Sequence, residues 1–139
     1  MTNTAAPAVP AHNRLVLTAL ATDVGRRVLQ RMCAVRYTGR RSGRTVILPV
    51  AYALCGTDVM VLVGNATAKQ WWRNFDGGHP AEVLIDGRWL SARGEAVGPD
   101  RLEYPRLLAA YRAAHPHVPR ATNEPIVHFV LTHPEGVHR

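Results

Sequence analysis

Apolar residues change their spacing several times along the chain, and each change marks an element. Val16, Leu20, Val24, Val28 and Met32 recur every four residues. That spacing predicts a helix from a cap at Asn13 to about Met32, with one apolar stripe. Arg26, Arg27 and Arg31 fall mostly on its other faces. Residues 34–38 then read as a strand, and Thr45 to Leu54 as a long apolar second strand interrupted by Pro49. Proline cannot donate to a ladder, so it marks an edge, a bulge or a bend. Cys55-Gly56-Thr57-Asp58 is a turn. Val59 to Val63 is almost wholly apolar, the pattern of a strand covered on both faces.

Residues 64–68 form a loop of small side chains. Lys69 to Phe75 predicts a short helix, stopped at Gly77-Gly78. Trp71 and Phe75 stand four apart on it, the spacing of core anchors. Two strands, residues 81–86 and 88–97, flank Asp86-Gly87, a strong hairpin signal. Pro99-Asp100 introduces a helix over about 101–114, with Leu102, Leu107, Leu108 and Tyr111 on its apolar side. The run His115-Pro116-His117-Val118-Pro119 breaks it, and Ile126 to Thr132 is the last strand. About six strands and three helices result, without strand–helix–strand alternation. The expectation is an α+β fold around an antiparallel barrel or curled sheet. Residues 1–12, rich in Ala, Thr and Pro, read as a flexible tail, and 13–139 as a single domain large enough for one core.

The chemistry concentrates between the first two strands. Thr38-Gly39-Arg40-Arg41-Ser42-Gly43-Arg44 is a hairpin tip carrying three arginines, a serine and two glycines. Two readings are open: a solvated basic turn, and a cationic cup whose guanidinium forks, hydroxyl and backbone N–H groups meet a phosphate. A net charge of +7 favours anionic partners in either case. Few aromatics are available for base stacking, which argues against a single-stranded nucleic-acid partner.

Cys33 and Cys55 lack metal-site spacing and read as free thiols in a reducing, cytoplasmic compartment. Neither a membrane-spanning apolar run nor a signal-peptide pattern is expected. The basic, amphipathic first helix suits packing on its own domain or peripheral contact with an anionic membrane. His115, His117, His128 and His133 have no carboxylate or cysteine close in sequence to complete a metal site, so none is assigned. Hydrolase, Rossmann and P-loop fingerprints are missing. A phosphate-bearing ligand here must carry its own chemistry, which points to a cofactor.

Taken in order, the tip at 38–44, Pro49, Gly64-Asn65, Lys69 with Trp71-Trp72-Arg73-Asn74-Phe75, the Ala-Ala-Tyr ending at Tyr111 and the final strand resemble the deazaflavin-dependent nitroreductase family. The likeness spans about residues 34–133. It implies a six-stranded split β-barrel of the FMN-binding type and the deazaflavin coenzyme F-420. Arg40, Arg41, Ser42, Gly43 and Arg44 would hold the cofactor's phosphate and acidic tail. Pro49 and Val50 would run beside its ring system, with the Gly64, Asn65 and Ala66 backbone close to it. Lys69, Trp72 and Asn74 match further cofactor positions.

The implied reaction is hydride transfer from reduced cofactor to a quinone-like or nitroaromatic acceptor. Two departures fall near the acceptor. Only Gln70 separates Lys69 from Trp71, where better-known members have a longer spacer. Their C-terminal run of tyrosines is replaced, with Tyr111 kept and Ala114 and His117 near the other places. Tyr111 and His117 are therefore the candidate catalytic residues. Two alternatives stay open beside this one, an FMN-dependent enzyme of the same barrel and a non-catalytic binder of the cofactor or a lipid-like anion. Monomer and homodimer are both compatible.

Overall fold

The structure, a computed structural model, describes residues 32–132. The expected tail and first helix lie outside these residues, apart from Met32, which opens a strand. Seven strands follow: β1 (Met32–Thr38), β2 (Thr45–Ala51), β3 (Ala53–Cys55), β4 (Asp58–Leu62), β5 (His79–Ile85), β6 (Arg88–Val97) and β7 (Ile126–Leu131). The α-helix among the described residues is α1 (Tyr104–Ala114). Two 3-10 helices, Ala66–Ala68 and Trp71–Phe75, occupy the β4–β5 connection.

The strands form a single sheet ordered β2-β1-β5-β6-β7-β4-β3, with every neighbouring pair antiparallel. The two edges are consecutive in the chain, with only Tyr52 between β2 and β3. The sheet therefore curls until its edges meet at that residue, giving a half-barrel. Here the structure corrects the expected six strands. The second strand breaks at Tyr52, where it passes from one edge of the sheet to the other. Pro49, the expected breaker, sits within β2 opposite Ala34. β2 is an edge strand, so a missing N–H is tolerated on its open side.

Period-two alternation sorts the side chains. Cys33, Val35 and Tyr37 of β1, Val59 and Val61 of β4, Val83 of β5 and Val127 and Phe129 of β7 all join the inner core. Met60, Val97 and Ile126 point to the opposite face and pack on α1. That explains the continuous apolar run of β4, which is buried on both sides as the sequence suggested. α1 presents Tyr104, Leu107, Leu108 and Tyr111, spaced as one helical face. Leu102, expected on that face, precedes the helix and is 98% exposed.

The Asp86-Gly87 turn has φ of 52° and 76° at its two central residues. Positive φ at both is what an Asp-Gly type I′ hairpin requires. The expected Lys69–Phe75 helix is a tighter, shorter 3-10 segment. It is held by Phe75, whose fully buried ring meets Tyr37 and Phe129 edge to face, with centroids 5.2 Å away in both pairs.

Candidate functional site

The β1–β2 tip folds back on itself. Gly39 N donates to Arg44 O at 2.8 Å, Gly43 N to Gly39 O at 2.9 Å, and Arg44 N to Ser42 Oγ at 3.1 Å. Arg40 N donates to Asn74 Oδ1 at 2.8 Å, tying the tip to the 3-10 segment. These four N–H groups are engaged inside the protein. An anion at the tip would meet guanidinium groups, the Ser42 hydroxyl and the N–H groups of Arg41 and Ser42.

The three arginines divide. Arg40, itself exposed, lays its guanidinium on the neighbouring backbone, with Nη1 on Asp76 O at 2.8 Å and Nη2 on Gly78 O at 2.6 Å. Arg41 and Arg44 are exposed, and among the described residues neither pairs with a carboxylate. The family resemblance implies that all three hold the ligand; in the structure the Arg40 guanidinium is engaged by main-chain carbonyls.

A cavity of about 640 Å³ opens here, lined by Arg40, Arg41, Ser42, Val46, Trp71, Arg73 and Asn74 among others. A second, of about 440 Å³, is lined by Leu48, Pro49, Val50, Ala51, Gly64, Lys69 and Trp71 with apolar residues of β4. Trp71 stands in the wall of both. The first is cationic at its mouth, and the second is apolar with Lys69 exposed at its rim. The structure thus gathers Arg40, Arg41, Ser42 and Asn74 around one cavity and Pro49, Val50, Gly64 and Lys69 around its neighbour.

The remaining predicted residues shape the walls. Asn65 adopts a left-handed conformation with φ of 56°. Its N–H and that of Ala66 converge on the Glu124 carboxylate, at 2.9 Å to Oε2 and 3.1 Å to Oε1. Trp72 Nε1 donates to Ala66 O at 3.0 Å, so Trp72 braces the same loop. Asn74 Nδ2 donates to Trp71 O at 3.0 Å, fixing the backbone that carries the shared tryptophan.

Tyr111 and His117 are not among the residues lining either cavity. Tyr111 is 4% exposed, and its ring stacks on His115 with centroids 4.4 Å apart. Burial pushes the Tyr111 hydroxyl above the ordinary tyrosine range, and a backbone hydrogen bond at Leu62 works against it. The hydroxyl lies 3.5 Å from Ala51 O, so Tyr111 meets the backbone of the second cavity's wall from behind. His115 Nε2 hydrogen-bonds Tyr52 O at 2.8 Å and holds the helix to the corner where the sheet edges meet. His117 is exposed, its ring 6.0 Å from that of His115.

Glu124 and His79 were missed in the sequence, and His115 was weighed there only as a metal ligand. Each works through partners more than 40 residues away, with His79 Nε2 reaching Thr38 O at 2.7 Å. A third cavity, of about 440 Å³, is lined by Arg36, His79, Glu82, Ser91 and Thr132 among others. Its opposite charges pair with each other, Arg36 Nε donating to Glu82 Oε1 at 2.7 Å. Among the described residues, no group of three or more His, Cys, Asp or Glu is placed to hold a metal ion. Nor is any helix among them long and apolar enough to cross a membrane.

Comparison with known proteins extends the fold. The chain matches no protein-family model and no curated protein. It is similar to several solved structures. One is a domain-swapped dimer, at 15% identity and a TM-score of 0.54, covering 84% of this chain and 93% of that one. Another is an F420-H2 dependent reductase, at 13% identity and a TM-score of 0.54, covering 73% and 95%. A third is a protein of unknown function from Agrobacterium tumefaciens, at 16% identity and a TM-score of 0.51, covering 93% and 60%. At these identities the likeness establishes a shared half-barrel fold.

Proposed function

We propose that this chain is a deazaflavin-dependent oxidoreductase that binds coenzyme F-420 across the two cavities joined by Trp71. One observation carries the reading: a cationic cavity and an apolar cavity share a wall, matching a ligand with an anionic tail and a flat apolar ring. The fold shared with an F420-H2 dependent reductase supports it.

The donor set fits the cofactor's charge. Arg41, Arg44 and Arg73 would face the phosphate and acidic tail, with the Ser42 hydroxyl as a further donor. Charge-assisted, bidentate contacts suit arginine there. Leu48, Pro49 and Val50 would flank the ring, and Gly64 would allow the backbone close to it. Lys69 at the rim would contact the same anionic ligand. When bound and reduced, the cofactor supplies hydride to an acceptor, which we take to be quinone-like or nitroaromatic.

The chain's own work is positioning and exclusion of water. Among the described residues, those lining the cavities include no carboxylate and no histidine, and hydride transfer to such an acceptor requires no strong protein base. Tyr111 would support the wall through Ala51. We place no proton-transfer step on His117. A homodimer is included in the proposal, because one structure of the same fold is a domain-swapped dimer. Sedimentation tests it.

The decisive test is titration with reduced coenzyme F-420, FMN in parallel, followed by turnover with menadione and a nitroaromatic. Micromolar or tighter binding of F-420 and acceptor reduction are expected. Binding without reduction of any acceptor would convert the reading to that of a sequestering protein. Preference for FMN, or no binding of either, would overturn it.

A further inference from the structure

We propose that Arg40 is the positioning residue of the basic tip, a clamp that presets the tip before any anion arrives. The tip projects between two strands and needs something to fix its angle to the cavity. Arg40 supplies this in four directions. Its N–H meets Asn74 Oδ1 at 2.8 Å, Nη1 meets Asp76 O at 2.8 Å, Nη2 meets Gly78 O at 2.6 Å, and Nε approaches His79 Nδ1 at 3.4 Å. His79 completes the loop through Nε2 to Thr38 O, 2.7 Å away at the first residue of the tip. With Nε2–H donating to that carbonyl, Nδ1 is left to accept from Arg40.

Geometry separates this role from a ligand contact. A planar guanidinium aimed at two carbonyls two residues apart uses the fixed fork that lysine lacks. The Arg93 guanidinium lies so close to Gly78 that a side chain there would collide with it. All three arginines are exposed, but the Arg40 guanidinium is engaged by main-chain carbonyls, which leaves Arg41 and Arg44 as the tip's cations available to a ligand. A preset tip also binds more tightly, because the loop is not ordered at the moment of binding.

Only the ligand part of this inference rests on the proposed function, and the test keeps the two apart. In the ligand-free protein, amide exchange is read at Gly39, Gly43 and Arg44 N–H. Arg40→Lys keeps the charge and loses the fork. Asn74→Ala removes the acceptor for Arg40 N–H and changes no charge. Both are expected to speed exchange at the three amides about tenfold, the equivalent of about 1.4 kcal/mol. Arg41→Lys and Arg44→Lys are expected to leave it within about twofold.

Inorganic pyrophosphate is the binding probe. Its affinity is expected to fall about tenfold in Arg40→Lys and in Asn74→Ala. The salt dependence should stay as in wild type for Asn74→Ala, which no loss of a ligand charge would produce. Thermal unfolding of each variant confirms that the domain stays folded. Normal exchange and normal affinity in Arg40→Lys would overturn the clamp and make Arg40 a plain charge. Pyrophosphate failing to bind wild type would count against the proposed function, and the exchange measurement would still decide the clamp.

Discussion

Glu124 lays its carboxylate across the backbone of Asn65, accepting its N–H at 2.9 Å and the next one, of Ala66, at 3.1 Å. The two residues are 59 positions apart in sequence. This contact ties the segment before β7 to the loop that borders the second cavity. Tyr104 OH donates to Glu124 O at 2.7 Å, so the helix joins the same knot. Glu124→Ala is expected to leave two N–H groups without their acceptor and to destabilise the protein by about 1–3 kcal/mol. Chemical denaturation would measure this. Faster amide exchange at Asn65 and Ala66, beyond the global change, would locate it. Unchanged exchange at both amides would show the latch to be passive.

Arg41 and Arg44 carry the opposite prediction. Both side chains are exposed, and the tip's internal hydrogen bonds use only the Arg44 main chain, so alanine at either should alter stability by less than about 0.5 kcal/mol. Loss of coenzyme F-420 affinity is expected at roughly tenfold or more per residue, from contacts of about 1–3 kcal/mol each. Fluorescence titration of the cofactor against each variant is the measurement. Equal affinity in the double variant would remove the tail from the tip.

Gly94 on β6 is boxed in by two aromatic rings. A Cβ there would stand 2.7 Å from Phe129 Cε1 and 2.7 Å from Phe75 Cδ1. Both rings are fully buried and packed on each other, with centroids 5.2 Å apart. Gly94→Ala is therefore expected to overpack the core and destabilise it by about 1–3 kcal/mol. Equilibrium unfolding reads this directly, and a neutral result would mean that the rings can yield.

The two thiols should differ in reactivity. Burial pushes the Cys33 thiol up to about 12, while Cys55 is half-buried at a hairpin end. A thiol reagent at neutral pH should label Cys55 in the folded protein and Cys33 only after denaturation. The same shift has a sign for stability. Because ionisation is harder in the folded state, stability from this group is complete below about pH 9 and falls as pH rises toward 12, at most about 1.4 kcal/mol per unit. Melting between pH 8 and 11 should show a shallower decline for Cys33→Ala than for wild type. Parallel slopes would refute it.

Local signals were legible and distant ones were not. Asp86-Gly87, the two-faced run at Val59–Val63 and the basic tip each declare themselves within a few residues, because turn chemistry and alternation are local. The seventh strand was hidden because Tyr52 is an ordinary strand former; only the closure of the sheet makes it a corner. Arg40 reads in sequence like Arg41. Its difference comes from carbonyls at Asp76 and Gly78, which a chain 36–38 residues longer brings under it. Leu102 fits the helical spacing of α1, yet the helix begins at Tyr104 and leaves it in solvent.

The passage of one chain segment from edge to edge at Tyr52 bears on self-association. Open sheet edges are where chains add to one another and aggregate. Here one edge, β2, has a proline in place of a donor at Pro49, and the other, β3, is three residues long. Neither gives a second molecule an uninterrupted row of backbone groups to extend. The same bend that closes the half-barrel therefore also leaves it poorly suited to seeding a fibre.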